Sequence, residues 1–350
     1  MSKEDKIKNF DPNGVGLDNG HFIGLPFNEA EAQLVLLSVP WDVTVSYADG
    51  TATGPANILE TSPQLDLFDP DVPDAWKLGL YFRPPDPHWL EKNKALRARS
   101  IEYIRFLEEG GELAEDTEMQ RILREINQEC EALKKWVRKE CEALLDSGKK
   151  VAIVGGEHSS PLGLMEALAE RYPAFGILQI DAHMDLRKAY EGFTYSHASI
   201  FYNALQLGSI RQLTQVGIRD YCEEEVRVAE ASGKTTVYYD HQIRRAQYAG
   251  KTFAGITDHI IASLPQQVYI SFDIDGLQPQ LCPNTGTPVP GGLDFNEAIY
   301  LIQQVVQSGR EIIGFDLSEV AGLGHEWDGN VGARVLYRLS NAMMSSYIQK

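Results

Sequence analysis

Residues 176–185 read Gly-Ile-Leu-Gln-Ile-Asp-Ala-His-Met-Asp. The first five, Gly176 to Ile180, form a short apolar run of the kind that fills a strand buried on both faces. The next five place Asp181, His183 and Asp185 at i, i+2 and i+4, so an extended chain turns all three to one side. Three other apolar runs end in the same way. Val151 to Val154 leads into Gly155-Gly156-Glu157-His158-Ser159, Val268 to Phe272 into Asp273-Ile274-Asp275-Gly276, and Ile312 to Phe315 into Asp316-Leu317-Ser318-Glu319. In a parallel α/β sheet the carboxyl ends of the strands converge on one edge, so the four clusters are predicted to meet there.

Working outward, further strands are expected at Leu34 to Val39, closed by Pro40, and at Leu213 to Gly217 and Thr236 to Tyr239. Helical stretches separate the later strands, the signature of βα units. From Thr117, the residues Met119, Ile122, Ile126, Cys130, Leu133, Val137, Cys141 and Leu144 recur at three- and four-residue steps, which predicts a long amphipathic helix with a packing role. Thr117 and Gln120 are expected to form its capping box. Prolines and aspartates between Phe68 and Pro87 predict an irregular crossing. The fold class is therefore α/β, three-layer α/β/α with a mainly parallel sheet, in a single domain with a helical insertion. An N-terminal extension covers about 1–30, and the irregular and helical insertion about 70–148.

At 350 residues the chain is long enough to bury a substantial core. Its net charge of -18 offers no basic field to release phosphate counterions, so no nucleic-acid or membrane partner is expected and a cationic substrate fits better. The four cysteines, Cys130, Cys141, Cys222 and Cys282, show no CxxC pairing, as a reducing compartment permits. The segment Met1 to Phe22 lacks the apolar stretch of a signal peptide or span, and a cytoplasmic protein is expected. Gly155–Ser159 lacks the Gly-x-x-x-x-Gly-Lys spacing of a phosphate loop.

Four carboxylates crowded at one sheet edge repel and raise one another's pKa unless cations neutralise them, and two divalent ions would balance the four charges. With two imidazoles and no thiolate, the donor set suits manganese better than a closed zinc site; nickel, iron or cobalt would also suit it.

These segments resemble the arginase, agmatinase and formiminoglutamase family, the ureohydrolases. The family pattern Gly-Gly-(Asp/Glu)-His-Ser, Asp-Ala-His-x-Asp, Ser-x-Asp-x-Asp and Asp-x-x-Glu is matched in order by Gly155–Ser159, Asp181–Asp185, Ser271–Asp275 and Asp316–Glu319. The resemblance implies an arginase-like fold and two Mn2+ ions. His158, Asp181, Asp185 and Asp273 would hold one ion, and Asp181, His183, Asp273 and Asp275 the other, with Asp181 and Asp273 bridging. It further implies that His197, in the agmatinase-type segment Tyr195–Ser199, serves in proton transfer. Glu319 would pair with a substrate guanidinium, and Thr287 would lie in the substrate-side Thr-Gly-Thr-Pro loop. A guanidinium carbon is a poor electrophile, so the ions would make a nucleophile from water, and the products would be urea and an amine. Family members are commonly trimers or hexamers, which implies a homo-oligomer.

Agmatine, giving putrescine, is the expected substrate, because Leu186 to Thr194 lacks the arginase-type Asn and Ser pattern. Arg187 and Lys188 lie beside the cluster; they are either solvated or receive a carboxylate, as in arginine or guanidinobutyrate. Arginase, guanidinobutyrase, formiminoglutamase and guanidine hydrolase activities stay as alternatives. The family's Pro after the late glutamate is replaced within Val320–Gly324, which brings His325 and Trp327 near Glu319; surface or packing roles are favoured for both. A deacetylase of related fold would carry one zinc, and the six-ligand set counts against it. A non-catalytic metal-binding relative would lack a ligand or His197, and none is lost.

Overall fold

The computed structural model describes residues 2–348. Eight strands form one sheet: β1 (Leu34–Val39), β2 (Leu80–Arg83), β3 (Lys150–Gly155), β4 (Phe175–Ile180), β5 (Ile210–Ile218), β6 (Thr235–Tyr239), β7 (Gln267–Asp273) and β8 (Glu311–Ser318). Their order is β2-β1-β3-β8-β7-β4-β5-β6, and every neighbouring pair is parallel. After α1 (Lys3–Asn9), α2 (Gly54–Thr61) follows β1, and α3 (Pro87–Glu108) and α4 (Thr117–Asp146) follow β2. Next come α5 (Leu162–Ala169) after β3, α6 (Ile200–Ala204) after β4, α7 (Glu223–Ser232) after β5, and α8 (Asp240–Tyr248) and α9 (Phe253–Ala262) after β6. Finally α10 (Phe295–Gln307) follows β7 and α11 (Glu326–Ile348) follows β8.

Alternation along the strands makes two cores. Leu34 and Leu36 of β1 join Ile58 of α2, Ile256 of α9, Ile302 of α10 and Leu336 of α11 on one face. Val35, Leu37 and Val39 join Leu96 of α3, Ile126 of α4, Met165 of α5 and Phe201 of α6 on the other. All six β1 residues are buried, as a central parallel strand requires, and each large apolar side chain so placed contributes roughly 1.5–3 kcal/mol. The three-layer α/β/α expectation is thus met. Among the described residues no helix is long and apolar enough to cross a membrane.

Two local expectations need correction. Leu80–Arg83, read as irregular, is edge strand β2, in register with Leu34 to Leu37. Leu80 and Phe82 are buried and Tyr81 packs half-buried on the other core, while Arg83 bonds Glu29 and Glu140, charges that help guard the free edge. Four residues between proline- and aspartate-rich segments carry too little period to be seen. The capping box predicted for α4 is also absent. Asp116 caps instead, accepting from the Glu118 and Met119 N–H groups, and Gln120 turns back to the Leu113 and Ala114 carbonyls. A carboxylate at a helix N-terminus adds a charge-dipole attraction that a threonine hydroxyl lacks. The apolar stripe of α4 is buried at all eight predicted positions.

Candidate metal centre

Strands β3, β8, β7 and β4 are consecutive neighbours at the middle of the sheet, so the four acidic segments emerge side by side. His158, just past β3, points Nδ1 at three carboxylates: Asp185 Oδ2 at 3.0 Å, Asp181 Oδ2 at 3.1 Å and Asp273 Oδ2 at 3.3 Å. Its other nitrogen, Nε2, lies 2.8 Å from Ser271 Oγ, and that hydroxyl donates to Asp316 Oδ1 at 2.7 Å. The single serine proton is thereby used, so Nε2–H must be the donor to Ser271. In the neutral ring, Nδ1 then carries a lone pair towards three anionic oxygens, and it is buried with no hydrogen-bond partner. Such an arrangement repels unless a cation sits among the four atoms.

A second group shares Asp181. His183 Nδ1 lies 3.1 Å from Asp275 Oδ2 and 3.6 Å from Asp181 Oδ1. Two compact sets able to hold an ion follow, His158-Asp181-Asp185 and Asp181-His183-Asp275, which fits a bridging Asp181. Asp273 approaches His158 and belongs to neither compact set. All four carboxylates are buried, and among the described residues none pairs with lysine or arginine. Burial and the Asp181 charge push Asp185 up to about 7, and burial with Asp275 and Asp181 lifts Asp273 well above the carboxylate range. Burial opposes charge on both imidazoles, yet the neighbouring aspartates hold His158 and His183 well above the ordinary histidine value. The cluster thus gathers protons for want of positive charge, and two divalent cations fit it.

The supports are backbone and amide groups. The His183 N–H and Gln179 Nε2 donate to the two oxygens of Asp181, and Gln215 donates to Gln179 Oε1. The Ala182 N–H donates to Asp275 and the Asp275 N–H to Asp273. A Cβ on Gly276 would lie 2.6 Å from the Asp181 nitrogen, and one on Gly217 3.0 Å from the Asp181 oxygen. Six described non-glycine residues have positive φ; Asp185, Ala189, Glu191 and Glu319 are four of them. Such strain costs about 1–3 kcal/mol per residue and gathers where function over-determines the backbone.

A cavity of about 170 Å³ opens beside the cluster, smaller than drug-sized ligand pockets. Glu319 lines it. The His158 N–H donates to its Oε1 at 2.8 Å, while Oε2 is buried without a partner; burial and Glu157 raise its pKa well above the usual range. His197 also lines the cavity. Its N–H donates to Thr44 Oγ1 at 3.1 Å, and Thr44 donates in turn to Glu157. Burial and the His183 charge push the His197 imidazole down to about 3. Thr287 Oγ1 lies 3.4 Å from Asp275 Oδ2. Arg187 lies at the rim, its guanidinium 4.6 Å from the Tyr190 ring centre and 3.8 Å from Glu225. Lys188 is exposed and does not line the cavity, and His325 and Trp327 are exposed, the latter donating to the Gln280 carbonyl.

Sequence reasoning missed Ser46, Tyr190, Asp220, Tyr221 and Glu225 in the cavity wall. Asp220 obeys the rule that found the others, since it lies two residues past the end of β5. Glu225 hides as a helix cap, accepting from the Leu186 and Cys222 N–H groups.

Comparison with known proteins agrees with this geometry. A profile described as Arginase family matches residues 32–339. The N(1)-aminopropylagmatine ureohydrolase of Thermus thermophilus is 32% identical over 308 residues, covering 88% of this chain and 89% of that one. The agmatinase of Bacillus anthracis is 28% identical, covering 83% and 84%. The agmatine ureohydrolase structure from Thermoplasma volcanium superposes with a TM-score of 0.71 at 21% identity, covering 95% of this chain and 97% of that one, a likeness of fold. The chain belongs to the arginase family and is a ureohydrolase, a hydrolase acting on guanidino C–N bonds.

Proposed function

We propose that the chain converts agmatine to putrescine and urea at a pair of Mn2+ ions. The observation that carries this reading is the unpartnered Glu319 Oε2, a buried acceptor beside the ligand set, where a guanidinium would supply the missing donors. His158, Asp181, Asp185 and Asp273 would hold one ion, and Asp181, His183, Asp273 and Asp275 the other. When bound, the ions lower the pKa of water and so supply a nucleophile at neutral pH.

The chain's own groups do the rest. Glu319 orients the guanidinium through its free oxygen while His158 N–H fixes the other. Thr287 steadies Asp275 at the cavity wall. Burial favours the neutral His197 imidazole, which would take the proton given up by the attacking water and deliver it to the departing amine nitrogen. Arg187 flanks the substrate tail over Tyr190; Glu225 already partners its charge, which favours a tail without a carboxylate over arginine or guanidinobutyrate.

A second reading, N-aminopropylagmatine, is favoured by the exposed Asp220 carboxylate beside Tyr221 on the same cavity, suited to an additional ammonium. Urea release across agmatine, N-aminopropylagmatine, arginine, guanidinobutyrate and free guanidine decides between them. Two metals per chain with no urea from any of these would sink the catalytic reading. The remaining expectations are proposed with it: a cytoplasmic homo-oligomer, trimer or hexamer, without nucleic-acid or membrane partners. The chain would be one ureohydrolase-like domain with an extension at about 1–30 and an insertion at about 70–148. Light scattering on the purified chain tests the assembly.

A further inference from the structure

Beside Trp89, Leu96 and Ile104, which join the second core, the inward side of α3 carries a polar stripe. Asn93, Arg97, Ser100 and Tyr103 follow helical spacing and are all buried. Three of them hold backbone or side chains of cavity loops. Asn93 exchanges two hydrogen bonds of 2.7 Å with Asp42, and Arg97 donates to the Val45 carbonyl at 2.7 Å, next to Ser46 of the cavity. The Tyr103 hydroxyl donates to the Glu191 carbonyl at 2.9 Å. From α4, Asn127 clasps the same loop two-handed: its Nδ2 donates to the Gly192 carbonyl at 3.0 Å, and its Oδ1 accepts from the Thr194 N–H at 2.7 Å. Gly192 has φ +84°, which strains any other residue, and a Cβ there would sit tightly, 3.1 Å from both Leu123 of α4 and the Tyr103 hydroxyl. The helices are tied to each other by the ion pairs Arg99–Glu125 and Lys92–Glu129.

The clasped loop carries Arg187 and Tyr190 of the cavity, and its left-handed residues Ala189 and Glu191 adopt backbone angles that need outside support. Neither Tyr103 nor Asn127 lines the cavity, and neither bonds a residue of the metal cluster.

We propose that the α3–α4 hairpin is the mould of the substrate wall, and that Tyr103 and Asn127 are positioning residues which set substrate affinity through Arg187 and Tyr190. This rests on reading the cavity as the guanidine site. The loop is seated at its ends by buried Leu186 and Phe193, while the stretch between them is held largely by bonds to the side chains of Tyr103, Asn127 and Ser199, so small changes far from the cavity should alter recognition and spare the reaction centre.

The test is steady-state kinetics on agmatine with the manganese-loaded full chain, together with metal analysis and amide hydrogen exchange of residues 186–194. Asn127→Ala is expected to raise KM about tenfold, with kcat within about twofold and metal content unchanged, and to speed exchange in the loop. Asn127→Asp keeps the acceptor for Thr194 and should recover part of the loss. Tyr103→Phe keeps the ring and should raise KM about threefold. An unchanged KM, or a fall in kcat and metal content together, overturns the proposal. If the wild type releases no urea from any guanidine, the functional reading fails by itself. Loop exchange then decides: faster exchange in Asn127→Ala at unchanged metal content supports the mould, and unchanged exchange overturns it.

Discussion

The two walls of the cavity are built by different means. The metal wall consists of strand ends, where Asp181, Asp273 and Asp275 leave a hydrogen-bonded sheet and are gripped again by neighbouring N–H groups. The proposed substrate wall consists of loops seated by buried Leu186 and Phe193 and tied to helices by the side chains of Arg97, Tyr103 and Asn127. A sheet transmits its order to whatever leaves it within a residue or two, whereas a suspended loop is only as fixed as its few tethers. The proposed function thus puts chemistry on the stiff side and recognition on the adjustable one.

Substitutions on the two sides should separate accordingly. The largest effect is expected from Asp181→Ala, which removes the carboxylate proposed to be shared by the two ions: urea release should fall by at least about 10³-fold, with metal per chain reduced in elemental analysis. Glu319→Gln keeps the shape and removes the charge, so kcat/KM should drop roughly 10²-fold at full metal content; loss of metal instead would move Glu319 into the ligand set. Ser271→Ala frees the His158 ring, and titration should find metal bound about 10- to 100-fold more weakly.

A smaller effect lies in pH. His158 and His183 have raised folded-state values, so their stabilisation is fully present below the unfolded value of 6.5 and is lost as pH rises through the folded one. Asp185, raised to about 7, works in the same direction. The lowered Asp181 changes stability only below the ordinary aspartate value of 3.8, outside this range. Metal-free protein should therefore melt at progressively lower temperature from pH 6 to pH 9. Metal-loaded protein should not follow it, because ions displace those protons and bind more tightly as pH rises. Parallel melting curves with and without metal would contradict the charge balance described here.

What could be read in the residues follows the same division. A strand that ends in a run of polar groups announces both itself and its candidate ligands, so His158, Asp181, His183, Asp185, Asp273 and Asp275 can be singled out as candidates before any fold is known. Their convergence needed only the parallel sheet. Asp220 followed the same rule and was passed over because it stands alone. The α3 stripe was illegible for another reason: Asn93, Arg97 and Tyr103 look like the wet face of a helix, and only the loops packed on them reveal the inward side. Strand β2 was too short to show a period, and the cap of α4 turned on a competition between adjacent Asp116 and Thr117.

The glycines at 217 and 276 bear on how the protein tolerates heat and time. They let the chain at Asp181 lie against its neighbours with no side chain between them, so nothing can rotate to open a gap. Surrounding loops can fluctuate while this contact stays shut, and the protein should lose grip on its substrate at lower temperature than it loses the arrangement that does the chemistry.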